Sequence, residues 1–175
     1  VKHKYKEGEM DQVDRVLYDL KHNPASRRIM TNIYTFADLN EMHLYPCAYS
    51  MTFNVTGDRL NGILNQRSND VAVANNWNVV QYAVLLHMFA QVSGLQVGEL
   101  VHVIADAHIY DRHVPIVEKM LKENKTYPAP KFIINKEVKN LYDFTIDDFK
   151  KCNLNALEFS FLSEAEKAEL LPLLK

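Results

Sequence analysis

The chain has almost none of the features that mark secreted, metal-binding or nucleic-acid-binding proteins. It carries two cysteines, Cys47 and Cys152, without CxxC spacing. That argues against a metal framework and fits a reducing, cytoplasmic setting. Glycine (five) and proline (six) are sparse, which speaks against the fibrous and disordered classes. Neither charge sign dominates: the formal net charge of −2 supplies no basic field to draw in DNA or RNA. A long hydrophobic run is also missing. The most apolar stretch, Trp77 to Val92, is interrupted by Asn78, Gln81, His87 and Gln91, too short and too polar to span a membrane. The opening VKHKYKEGEM lacks both the apolar core of a signal peptide and an initiator Met. We therefore expect a soluble chain, without a membrane partner, that is processed or a piece of something longer. No repeat, linker or low-complexity segment divides it.

What is present suits an ordinary globular protein. Hydrophobic residues make up 47% of the 175, enough for one domain with a substantial core. Val13, Val16, Leu17 and Leu20 share one face of an amphipathic helix over Asp11 to Lys21, stopped by Asn23-Pro24. Ile29 to Tyr34 reads as a strand, and Thr35 to Met42 as a short helix with Thr35 as N-cap and Asp38 three residues on. Two strands, Ala48 to Val55 and Arg59 to Asn65, flank a turn at Thr56-Gly57-Asp58. The first alternates cleanly and the second only weakly. Trp77 to Ser93 is apolar nearly all round, which predicts a central, buried helix ended by Gly94, with Asn76 as candidate N-cap. Leu100 to Ala105 is a compact apolar run of the kind found in strands covered on both faces. A second amphipathic helix covers Val114 to Glu123. Beyond Pro128 and Pro130 we expect a short strand, Lys131 to Ile134. A capping-box pattern follows at Thr145 and Asp148, and another at Ser163 and Glu166. The economical reading is a single α/β domain over residues 1–175.

Chemistry-bearing residues are scattered along this frame, and each has a bland explanation. Cys47, after Pro46 and before a strand, is on its own more often a small buried hydrophobe than a nucleophile. Arg27-Arg28 is usually a solvated pair, although adjacent guanidiniums also make a phosphate fork. Gln66-Arg67-Ser68-Asn69-Asp70 at a strand end reads as a polar turn or as a second phosphate fork. Asn78, one step inside the apolar helix, is harder to dismiss, because a buried amide needs partners and offers one donor and one acceptor edge. Asp106-Ala107-His108-Ile109-Tyr110 leaves a buried strand with His108 and Tyr110 two apart, a strand end or a hydroxyl-binding pair. Cys152 falls outside every such cluster and carries no assigned role.

The order and spacing of these clusters are more specific than any one of them. Pro46-Cys47, then Gln66-Arg67-Ser68-Asn69-Asp70, then Trp77-Asn78-Val79, then Asp106-Ala107-His108-Ile109-Tyr110 resembles the thymidylate synthase family. Asn23-Pro24-Ala25-Ser26-Arg27-Arg28 upstream and Tyr142-Asp143-Phe144-Thr145 downstream match it too. The resemblance runs from about Asp11 to about Phe149, and Ala74-Asn75-Asn76-Trp77-Asn78-Val79 looks like one bacterial branch. It implies an α/β (α+β) domain with a mixed β-sheet packed against a long buried central helix. It implies an enzyme, a methyltransferase making dTMP from dUMP with 5,10-methylenetetrahydrofolate as co-substrate. Cys47 would be the nucleophile that adds to uracil C6, and nearby arginines would favour its reactive form. Arg67 and Ser68 would hold the 5′-phosphate. Arg27 and Arg28 would reach that phosphate from a partner subunit, so the active form would be a homodimer. Asn78 would read the pyrimidine edge, and an amide at O4 would steady developing charge. Gln66 would position the nucleotide or the cysteine loop. His108 and Tyr110 would bind the 3′-hydroxyl, and Asp70 would face the folate. No metal is implied.

The chain also departs from the family. It lacks the family's N-terminal portion, which carries a phosphate-binding arginine loop, a proton-transfer glutamate and aromatic residues of the folate site. The usual short apolar tail is replaced by the divergent segment from Ser163 to Lys175. Alanine stands at Ala105 where glycine is usual. These gaps keep two neighbouring readings in play: a dUMP hydroxymethylase of the same fold, in which water quenches the methylene intermediate, and a truncated, non-catalytic nucleotide-binding homologue. Asparagine rather than aspartate at Asn78 favours uracil over cytosine.

Overall fold

A computed structural model describes residues 2–124, 132–148, 150 and 164–173. They fall into two compact units, Val1–Val117 and Glu118–Lys175.

The first unit is a mixed sheet with helices on one face. Two short strands, β1 (His3–Tyr5) and β2 (Gly8–Met10), form a hairpin of their own. Helix α1 follows (Gln12–His22), opened by a full capping box in which Asp11 accepts from Val13 and Asp14 N–H and Asp14 reaches back. Val16 and Leu20 are its buried contacts. The main sheet has the order β3 (Met30–Asn32), β4 (Ala48–Thr56), β5 (Arg59–Gln66) and β7 (Gln96–Ile104). The first three strands are antiparallel, and β5 and β7 run parallel. A parallel pair needs a crossover, here formed by β6 (Asn69–Asp70) and the 19-residue helix α2 (Asn75–Ser93). Gly94 ends α2 in the left-handed region at φ 73°, the conformation glycine adopts without strain.

Several expectations are corrected here. β5 alternates strictly, with Leu60, Gly62, Leu64 and Gln66 all inward. Gly62 weakens the pattern in sequence, yet it takes a core position because a Cβ there would collide with Met51 Cε. β7 is not covered on both faces: Val101 and Val103 are each 48% exposed, because α2 packs only on the side of Leu100, His102 and Ile104. Helix α2 is likewise buried along Leu86, Phe89, Ala90 and Val92 only, while Trp77 is 79% exposed. Its N-cap is Ala74, two residues before the expected Asn76, and no side chain caps it. Thr35 does stand at the N-cap of a 3₁₀ turn, Phe36–Glu41, but its hydroxyl makes no capping bond.

The strands then extend past the main sheet. β6 pairs in parallel with β8 (Ala107–His108), setting Asn69 opposite Ala107 and Asp70 opposite His108. Helix α3 covers Val114–Glu123, as the periodicity predicts. In the second unit Phe132–Ile134 is irregular rather than a strand; Lys131 lies outside the described residues. Thr145 N–H and Oγ1–H both donate to Asp148 Oδ2, at 2.8 and 2.9 Å, as the capping pattern there suggests. A helix runs over Glu164–Leu170; Ser163 and Cys152 are outside the described residues. No helix among the described residues is long and apolar enough to cross a membrane.

Candidate active site

The site lies in the first unit, where the C-terminal ends of β5 and β7 meet the N-terminal end of β4. Ala48 pairs with Gln66, so Cys47 and Arg67 are brought face to face, and Arg67 N–H donates to Cys47 O at 2.9 Å. The register shifts between Ala48 and Ser50, a bulge of the sort that re-aims side chains beside functional sites. Arg67 then clamps the cysteine segment with its side chain. Its Nε donates to Pro46 O at 3.0 Å and its Nη2 to Tyr45 O at 2.7 Å, and Nη2 also lies 3.7 Å from Cys47 Sγ. The thiol is half-buried and free. A fixed guanidinium thus sits beside an accessible sulfur.

Behind this pair stands a polar group inside the core. Gln66 is only 2% exposed. Its Nε2 donates to Ser68 O at 2.8 Å and to Asn78 Oδ1 at 2.9 Å, and its Oε1 lies 2.8 Å from His102 Nε2. Burial pushes the His102 pKa below its ordinary 6.5. Tyr82, one turn beyond Asn78 on α2, donates from its hydroxyl to Ala48 O at 3.3 Å. It ties the helix to the cysteine strand, and burial raises its pKa.

The β6–β8 ladder carries the remaining residues. His108 packs edge-on against Tyr110 with ring centroids 5.1 Å apart, although the strand itself ends at His108. The His108 Nδ1 lies 3.6 Å from Asp106 Oδ2. Asp70 Oδ1 accepts from Val73 N–H at 3.3 Å, and its Oδ2 is 3.7 Å from His113 Nδ1. Arg112 bridges the same corner, 3.2 Å from His113 Nε2 and stacked 5.5 Å over the Tyr110 ring.

Direct contacts therefore link Cys47 with Arg67, and Gln66 with Ser68 and Asn78, while Asp70, His108 and Tyr110 share the adjoining ladder. Arg27 and Arg28 are not drawn in. Both are exposed in the loop after α1, and among the described residues neither side chain contacts this group. His102 and His113 were not singled out from sequence. A histidine at an inward position of an alternating strand is the signal that marks His102, since an imidazole there needs a partner. Among the described residues, no group of three or more His, Cys, Asp or Glu side chains could hold a metal ion.

Comparison with known proteins gives one consistent result. The family model for thymidylate synthase matches residues 1–158, reaching past both ends of the stretch marked by the motifs. The thymidylate synthase of Bacillus licheniformis is 48% identical over 141 residues, which is 81% of this chain and 50% of that protein. Thymidylate synthase 1 of Bacillus subtilis strain 168 is 45% identical over 144 residues, 82% of this chain and 51% of that protein. Among solved structures, the thermostable thymidylate synthase A from Bacillus subtilis superposes with a TM-score of 0.78 at 42% identity, covering 83% of this chain and 52% of that one. The chain spans about half the length of the curated relatives it matches. The mixed sheet agrees with the matched structure, and the chain belongs to the thymidylate synthase family.

Proposed function

We propose that the protein acts as a thymidylate synthase, a methyltransferase that converts dUMP to dTMP. The observation that carries this reading is the accessible Cys47 thiol held 3.7 Å from the Arg67 guanidinium beside the buried Gln66 and its hydrogen-bond partner Asn78. Cys47 Sγ adds to C6 of the uracil ring and leaves again when the product forms, which makes C5 nucleophilic in between. Arg67 and Ser68 bind the 5′-phosphate. Asn78 accepts from N3–H and donates to O4, where charge builds up after thiolate addition. His108 and Tyr110 hold the 3′-hydroxyl. When bound, 5,10-methylenetetrahydrofolate supplies a one-carbon unit and the hydride that reduces it. Asp70 is the residue that would face that folate, its carboxylate suited to ring N–H donors and fixed by Val73 and His113.

Arg27 and Arg28 fit a role across a homodimer, because they are exposed and unpaired with the rest of the site in their own chain. The open face of β7, with Val101 and Val103, is apolar enough to form part of such an interface. A cytoplasmic location, an absence of DNA and membrane partners, and a single domain over residues 1–175 complete the proposal. Its test is the product formed from dUMP and 5,10-methylenetetrahydrofolate, identified by mass. The expected products are dTMP and dihydrofolate. Formation of 5-hydroxymethyl-dUMP would overturn the methylation step, and dUMP that binds but is never converted would overturn the assignment as an enzyme.

A further inference from the structure

The hydrogen bonds around Gln66 have only one consistent direction. Ser68 O is a backbone carbonyl and can only accept. Gln66 Nε2, 2.8 Å away, must therefore face it. The second hydrogen on that nitrogen meets Asn78 Oδ1 at 2.9 Å, which turns the Asn78 amide oxygen toward Gln66 and leaves both Nδ2 hydrogens for another partner. Gln66 Oε1 is left facing His102 Nε2 at 2.8 Å. An amide oxygen only accepts, so His102 carries a proton on Nε2. Burial favours the neutral ring, whose single N–H is then committed to Gln66.

We infer that His102 is a specificity-determining positioning residue, which through Gln66 holds the Asn78 amide in the orientation that accepts uracil and refuses cytosine. The inference rests on the proposed role of Asn78 as the pyrimidine reader. Uracil presents a donor at N3 and an acceptor at O4, whereas cytosine presents an acceptor at N3 and a donor at N4. Reading cytosine requires Asn78 to flip. A flipped Asn78 sets its Nδ2 against Gln66 Nε2, donor against donor. Reversing Gln66 as well sets its oxygen against Ser68 O and its nitrogen against the His102 N–H. The Ser68 carbonyl is a fixed acceptor, and the His102 ring opposes reversal of Gln66 for as long as its proton stays on Nε2; between them the two amides are held, in a site where an unpaired buried polar group is costly. Discrimination here comes from penalising the wrong base as much as from binding the right one.

Two measurements on the 175-residue chain test this. The first is the His102 tautomer, read from long-range ¹⁵N correlations. Nε2 is expected to be protonated and Nδ1 bare; the opposite tautomer would overturn the relay whatever the chain binds. The second is calorimetric binding of dUMP, dCMP and inorganic phosphate to the wild type, His102→Phe and His102→Gln. Loss of one hydrogen bond in the relay corresponds to a roughly five- to tenfold fall in the dUMP-over-dCMP preference. His102→Phe is expected to show that fall with phosphate affinity unchanged, and His102→Gln, which restores an N–H, to recover it. A preference that stays at the wild-type value in His102→Phe would overturn the inference. If the wild type has the expected tautomer but binds neither nucleotide, the uracil-site reading itself fails and the relay loses its purpose.

Discussion

The two faces of the main sheet are built from the same strands and meet different surroundings. On the inner face Met51, Phe53, Leu60 and Leu64 are at most 1% exposed beneath α1 and α2. On the outer face Val101 and Val103, on either side of His102 in β7, are 48% exposed beside Asn54, Asn61 and Ile63. Period-two alternation puts core and surface in adjacent residues. The positioning residues Gln66 and His102 belong to the inner face, so their places are set by core packing. Among the described residues the outer face has no such cover, and its mixture of valines and short polar side chains suits another protein surface better than water.

The largest effect expected from breaking this contrast is at the centre of the inner face. Phe89 is fully buried and lies 5.3 Å from Phe53, ring centre to ring centre. Phe89→Ala should cost about 3–5 kcal/mol of unfolding free energy in a denaturant titration. Gly62→Val comes next. A side chain there meets Met51 Cε and lies 3.3 Å from Leu86 Cδ1, so overpacking of about 1–3 kcal/mol is expected. Adding Met51→Ala should recover part of it, a non-additivity that reads out the contact directly.

The pH dependence is smaller and follows from two partly buried histidines, His87 on α2 and His102 on β7. Burial lowers the pKa of both His87 and His102 from 6.5. The unfolded chain therefore binds more protons than the folded one once the pH drops below about 6.5. Their contribution to stability is full above that pH and is lost as the pH falls through the folded values. Tm should decline on acidification from pH 7, and less steeply in His102→Phe. The smallest effect belongs to the outer face. Val101→Lys should change the stability of the isolated chain by no more than about 0.5 kcal/mol, while weakening self-association in sedimentation velocity. A stability loss as large as that of Phe89→Ala would show that the outer face is core after all.

How much could be read in advance divides along the same line. Local signals were sufficient for α1, for α3 and for the hairpin around Gly57, because turns and helical periodicity act within a few residues. The family motifs grouped Cys47, Arg67, Gln66 and Asn78. Cover was not legible. The apolar run at Leu100 and the apolar girth of α2 look buried in sequence, but hydrophobicity does not say whether the covering surface comes from the same chain. His102 was hidden for a related reason. It lies in an apolar run, and its partner Gln66 is brought next to it only by the parallel register that sets Leu64 against His102 and Gln66 against Ile104. Gly62 misled in the opposite direction, since its missing side chain reads as a break in a pattern that the strand in fact keeps.

The central claim is that Cys47, held by Arg67, is the nucleophile for a uracil ring. The most direct measurement is the intact mass of the protein after incubation with 5-fluoro-dUMP and 5,10-methylenetetrahydrofolate. Fluorine at C5 cannot leave as a proton does, so the reaction should stall with nucleotide and folate both attached. The expected result is a mass increase equal to their sum, mapped to Cys47 and absent in Cys47→Ser. An unmodified mass in a sample that still binds dUMP, or an adduct that survives Cys47→Ser, would contradict the account.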